Sequence, residues 1–159
     1  MINTHSNTKT LPLGHHARSS YLYTVENSKQ IILFDGVCNL CNGAVQFVIK
    51  RDHKDTFRYA ALQSEVGQRL CSERGIDTSQ VDSIILIEPG VAYYVKSDAA
   101  LEIGNQLKGY KTLSSILQWI PRGLRDIVYD FVARNRYKWY GKKEACMIPT
   151  PELKAKFLD

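Results

Sequence analysis

Gln30-Ile31-Ile32-Leu33-Phe34-Asp35-Gly36-Val37-Cys38-Asn39-Leu40-Cys41 is the stretch that decides the fold of this chain. Residues 31–34 form an unbroken apolar run, the pattern of a short strand buried on both faces. Asp35-Gly36 is a turn signal that stops it. Beyond the turn, Cys41, Ala44, Val45, Val48 and Ile49 recur at the spacing of an amphipathic helix. Lys50, Arg51 and His53 put positive charge near the end of that helix, where its dipole favours cations. Two cysteines separated by two residues thus open a helix directly after a buried strand.

Working outward, residues 57–62 read as a second short strand. Ser64 opens a helix running to about Arg74, and Gly75 stands where a left-handed cap is expected. The apolar run at 83–87 is closed by Pro89-Gly90, with 91–96 as its hairpin partner. Ser97-Asp98 suits the cap of a helix over 99–107, ended by Gly109. The order β, α, β, α, β, β, α implies an α/β fold, a mixed sheet with helices packed on it. Further on, Leu113, Ile116, Leu117 and Ile120 mark one helical stripe, Pro121 interrupts it, and Leu124, Ile127, Val128, Phe131 and Val132 mark another. These predict a helical C-terminal extension whose stripe covers the sheet. Residues 1–28 are polar and without period, so a disordered tail is expected there, with one domain over 29–159. The adjacent His15 and His16 are read as tail residues rather than a metal site.

The chain has 159 residues, 44% hydrophobic, enough for one domain with a real core. Its net charge of +5 is concentrated between residues 122 and 143, where seven Lys and Arg face only Asp126 and Asp130. A solvated basic face is the expected reading. Arg134 and Arg136 beside Tyr137 and Trp139 do not make a nucleic-acid module, and no nucleic-acid partner is expected. The apolar stripe of the extension is better explained by the sheet than by a membrane surface. Four cysteines are too few for a disulfide-stapled scaffold, and the N-terminus lacks the apolar core of a signal peptide. A reducing cytoplasmic setting is therefore expected. There a close cysteine pair is more often redox-active or metal-binding than a structural bridge.

At a helix N-terminus, unsatisfied backbone N–H groups and the dipole stabilise an anion, so a cysteine there has its thiolate favoured. Cys38 is placed for that role. Cys41, one turn on and on the apolar stripe, is expected to be partly buried with a higher pKa, within reach of Cys38. That is the arrangement of an attacking and a resolving thiol, acting on a disulfide-containing protein or a low-molecular-weight thiol. Asp35 admits two readings: a proton acceptor for the resolving thiol, or a structural group that caps the helix or braces the turn. Zinc needs four ligands, and Cys71, Cys146 and His53 are the only supplements, irregularly spaced. The alternative to exchange chemistry is a non-enzymatic binding module whose cysteine pair holds zinc or merely packs. No cofactor is expected.

The run Phe34-Asp35-Gly36-Val37-Cys38-Asn39-Leu40-Cys41 resembles the signature of the DCC family of predicted thiol-disulfide oxidoreductases: Asp, two residues, Cys, two residues, Cys. The resemblance continues through Lys50-Arg51-Asp52 and Tyr59-Ala60-Ala61-Leu62-Gln63-Ser64. It returns over residues 133–143 and closes on 146–152. It implies a thioredoxin-like fold with Asp35, Cys38 and Cys41 as signature residues. Thioredoxins place a cis-proline before the strand facing the dithiol, where it helps dock the substrate backbone. Residues 77–83 contain no proline, so docking is expected to differ. Cys146 is read as a buried small residue or a third redox thiol, Cys71 as core, and Arg134 and Arg136 as candidates to hold an anionic thiol such as glutathione.

Overall fold

The computed structural model describes residues 28–78, 83–90, 92–144 and 150–158. At its centre is β1 (Gln30–Phe34), parallel to β2 (Phe57–Ala61) and antiparallel to β3 (Ile85–Glu88). β3 in turn pairs antiparallel with β4 (Ala92–Val95), giving the order β2-β1-β3-β4. The unbroken apolar run of β1 follows from this position, because a strand's side chains alternate between faces and both faces here are covered. Ile31 and Leu33 join Leu70, Cys71, Ile85 and Ile87 on one side. Ile32 and Phe34 join Val45, Val48, Leu86, Ala99 and Ile103 on the other.

Among the described residues there are five α-helices: α1 (Asn39–Arg51), α2 (Glu65–Glu73), α3 (Lys96–Gln106), α4 (Lys111–Gln118) and α5 (Arg122–Tyr140). α2 covers one face, while α1 and α3 cover the other. The mixed sheet flanked by helices is a thioredoxin-like α/β fold. Cys71 is core, as its place in a helix suggested. At the far end, Leu158 donates its N–H to the Tyr59 carbonyl at 2.9 Å, and Phe157 stacks near Tyr59 and Phe34. The last residues of the chain thereby close the β2 side of the core, which the sequence pattern had not suggested.

Two expectations are corrected. The helix predicted from Ala99 begins at Lys96, with no side-chain cap, so β4 runs into α3 without a linker. Ser97 and Asp98 do not cap it, because partners from α5 claim them. Ser97 donates to Asp126, and Asp98 pairs with Arg122 and Arg125. The second correction is larger. The stripe of the C-terminal extension does not lie on the sheet: Leu124, Ile127, Val128 and Phe131 are 58%, 66%, 65% and 60% exposed. The sheet faces are already filled by α1, α2 and α3. α5 instead packs its other side, through Tyr129 and Arg136, over the edge of that layer.

Gly67 shows how tightly α2 is set. Ser64 caps the helix by accepting the Gly67 N–H at 3.1 Å, and a Cβ at Gly67 would lie 2.0 Å from the Ala61 carbonyl oxygen. Backbone meets backbone there, so no flexible side chain is available to give way. Gly67→Ala is expected to cost about 3 kcal/mol, read as a lower denaturant midpoint at unchanged slope.

Candidate active site

The turn after β1 leads straight into the cysteine pair. Cys38 is the N-cap of α1, in extended conformation, and its N–H donates to the Asp35 carbonyl at 3.3 Å. The Cys41 N–H donates to Cys38 Sγ at 3.3 Å. Negative charge developing on that sulfur therefore finds a backbone donor waiting at a helix N-terminus. Both cysteines are free thiols. Burial, then the hydrogen bond and charge of Cys38, hold the Cys41 thiol well above the ordinary range. Cys41 is half-buried as expected, but Cys38 has no exposed surface at all.

The chain leaving α5 explains why Cys38 is enclosed. Lys142 lies antiparallel beside Cys38. Lys143 donates its N–H to the Val37 carbonyl at 2.8 Å, and the Asn39 N–H reaches the Gly141 carbonyl at 3.4 Å. The Asn39 side-chain amide adds a bond to the Tyr140 carbonyl at 2.8 Å. Gly141, at φ +79°, makes the sharp exit from the helix that this pairing requires.

Asp35 is the hub beneath the dithiol. One carboxylate oxygen accepts from the Val37 N–H at 3.1 Å and Gln63 Nε2 at 2.8 Å. The other accepts from an Arg136 guanidinium nitrogen at 3.1 Å and from the Tyr137 hydroxyl. Gln63 also accepts the Gly36 N–H at 3.1 Å, so it braces the same turn twice. Burial works against the ionised form of Asp35, but the bonds from Tyr137, Gln63, Val37 and Arg136 outweigh it and hold the carboxyl below its usual value. Burial and the bond to Asp35 push the Tyr137 phenol up to about 12. Four donors occupy the roughly four lone-pair positions of a carboxylate. Asp35 does not cap the helix, whose N-cap is Cys38; its carboxylate ties the turn to Gln63, Arg136 and Tyr137.

Arg136 was read as a candidate for an anionic thiol, but its guanidinium is buried against Asp35 and over the Tyr137 ring at 4.5 Å. Arg134 stays exposed. Gln63 and Tyr137 were missed as members of the site. Their side-chain types carry no periodic signal: the pairing of β2 with β1 brings Gln63 beside Asp35, and the approach of α5 brings Tyr137. The helix stripe also proves rotated: Asn42 is buried, bonded to the Gly36 carbonyl at 3.1 Å, whereas Cys41 and Ala44 face a cavity. That cavity, of about 280 Å³, is walled mainly by apolar groups including Phe34, Leu40, Ile84, Tyr129 and Val132. At the start of β3 the Ile84 N–H is taken by the Tyr129 hydroxyl at 3.0 Å. Among the described residues there is no cis peptide bond, and no group of three or more His, Cys, Asp and Glu gathers as a metal site would require. Cys146, His15 and His16 lie outside the described residues.

A family model described as DCC1-like thiol-disulfide oxidoreductase matches residues 32–142. The chain belongs to this DCC1-like family. The matched span runs from β1 to the residue lying beside Cys38, and so contains both ends of the Asp35–Arg136 link. The chain is 49% identical to the uncharacterized protein YuxK of Bacillus subtilis over 129 residues, covering 81% of this chain and 93% of that one. It is 40% identical to a chloroplastic DCC family protein of Arabidopsis thaliana over 122 residues, covering 76% and 70%. No solved structure matches it. Among the described residues no helix is long and apolar enough to cross a membrane.

Asp35→Asn removes the carboxylate charge paired with the buried Arg136, and is expected to cost about 3 kcal/mol of stability. The depressed Asp35 carboxyl contributes stability that is complete above the ordinary carboxylate value of about 3.9 and is lost as pH falls through the lower folded value. Unfolding free energies measured on acidification should therefore fall less steeply for Asp35→Asn than for the parent.

Proposed function

We propose that this protein is a thiol-disulfide oxidoreductase in which Cys38 attacks and Cys41 resolves. The observation that carries the reading is the Cys41 N–H aimed at Cys38 Sγ at the start of α1. In the first step the Cys38 thiolate attacks a substrate disulfide, forming a mixed disulfide and releasing one substrate thiolate. Cys41 then loses its proton and attacks Cys38 Sγ. The Cys38–Cys41 disulfide forms, the second substrate thiolate leaves, and two electrons have passed to the substrate. A thiol donor returns the pair to the reduced state.

The timing of the second step has a physical cause. Part of the elevation of the Cys41 thiol comes from its hydrogen bond and charge interaction with Cys38. Once Cys38 is tied up in a mixed disulfide its charge is gone, and Cys41 ionises more readily at the moment when its thiolate is needed. Asp35, saturated by four donors, holds the turn rather than taking the proton. Substrates of this reading are a disulfide-bearing protein or a low-molecular-weight thiol compound. Because residues 77–83 contain no proline, they dock differently from thioredoxin substrates. A reducing compartment such as the cytoplasm suits a pair that starts each cycle as two thiols.

Titration in glutathione buffers, read by alkylation and intact mass, should give one two-electron transition of the pair between roughly −120 and −270 mV. Cys38→Ser should abolish exchange, and Cys41→Ser should accumulate mixed disulfides. A Cys38→Ser variant of full activity, or a pair that never oxidises in that range, would rule the mechanism out. Substrate access to Cys38 also requires residues 141–143 to lift. Asn39→Ala removes the bond to the Tyr140 carbonyl that anchors the start of this segment, worth about 1 kcal/mol, and should raise the alkylation rate of Cys38 about five-fold. An unchanged rate would show that this segment does not control access.

A further inference from the structure

The outward faces of α4 and α5 carry an unusual load of apolar surface. Trp119 is 91% exposed, and Ile116, Leu124, Ile127, Val128 and Phe131 are each more than half exposed. A groove of about 540 Å³ lies between α3, α4 and α5, lined by Leu117, Ile120, Leu124, Ile127 and Val128. Apolar surface gathered this way marks an interaction site rather than ordinary scatter.

The charges say what fits it. Residues 111–143 contain two acids, Asp126 and Asp130. Both turn toward α3, where Asp126 accepts from Ser97 and Asp130 pairs with Lys96 at 2.9 Å. Arg134 and Lys138 are exposed, and helical spacing puts them on the outward side with Ile127 and Phe131. Trp139 closes that side, its ring edge-on to Phe131 at 5.6 Å. The face is therefore apolar along its first half, basic along its second, aromatic at both ends and without a carboxylate. A second copy of the chain would bring Arg134 and Lys138 against a face with no acid to pair them. A bilayer with anionic headgroups satisfies both halves at once, as it does for interfacial helices that combine Trp, Phe and Leu with Lys and Arg.

We propose that the outward face of α4 and α5 is a docking surface for an anionic lipid bilayer. The apolar side chains enter the boundary between headgroups and acyl chains, and Arg134 and Lys138 rest against lipid phosphates. The groove and the Cys41 cavity share Ala100, Tyr129 and Val132 as walls, so a docked membrane lies just across that wall from the dithiol. The assignment is independent of the exchange chemistry.

The full chain is mixed with vesicles of phosphatidylcholine alone, or of phosphatidylcholine with phosphatidylglycerol, and followed by sedimentation and tryptophan emission. Partition into the mixed vesicles should exceed that into phosphatidylcholine at least ten-fold, weaken with salt, and shift the emission to the blue. Arg134→Ala with Lys138→Ala should lower it about ten-fold, and Phe131→Glu should lower it further, with melting curves unchanged because all three positions are exposed. Failure to bind the mixed vesicles, or equal binding to both kinds, overturns the proposal. So does a dimer in ultracentrifugation that Ile127→Glu dissolves while vesicle binding stays the same.

Discussion

A carboxylate and a guanidinium 101 residues apart meet beneath the dithiol, with side chains 8% and 3% exposed, and the geometry of the whole candidate site hangs on that contact. Taking two charges out of water is expensive, and their mutual attraction offsets the loss only where further hydrogen bonds complete both groups. Here they do so for Asp35: a backbone amide, a glutamine and a tyrosine join the arginine around one carboxylate. The consequence reaches in two directions. Toward the N-terminus it fixes the turn that presents Cys38 at the head of α1. Toward the C-terminus it fixes the last turns of α5, and so decides that residues 141–143 leave the helix alongside Cys38.

The central fold was legible because it rests on local patterns. Four apolar residues in a row, a turn dipeptide and a helical stripe are enough to place β1 and α1 and to set the dithiol between them. Ser64 as a cap and Pro89-Gly90 as a hairpin turn are likewise short-range chemistry. The site was legible only in its first half. Asp35, Cys38 and Cys41 are neighbours in sequence, whereas Gln63, Arg136 and Tyr137 reach them through tertiary packing. The burial of Cys38 was hidden for the same reason. A helix N-cap is ordinarily open to solvent, and what closes this one arrives a hundred residues later.

The helical extension misled for a different reason. An amphipathic period shows that two sides of a helix differ, and experience assigns the apolar side to the core. α5 reverses this. Its inward side carries Tyr129, Asp126, Asp130 and Arg136, each engaged with the domain, while its apolar side faces out. Periodicity is symmetric with respect to that choice. The tie is broken only by whether the domain already has its faces covered, and α1, α2 and α3 had covered them.

The reversal bears on why a buried ion pair sits where an apolar contact of similar volume would often be as stable. An apolar side chain tolerates its neighbour's sliding by a turn, about 5.4 Å along a helix, with little change in area buried. A carboxylate with four fixed donors does not, because a one-turn slip leaves a buried charge on each side without its partner. With no apolar stripe pressing α5 onto the domain, polar contacts must set its position along its own axis. That position matters to within one residue, since Gly141 must emerge opposite Asn39 for the following segment to pair beside Cys38. The inward polarity of α5, the choice of Asp35 as the residue before the turn, and the enclosure of Cys38 are therefore one constraint seen at three places.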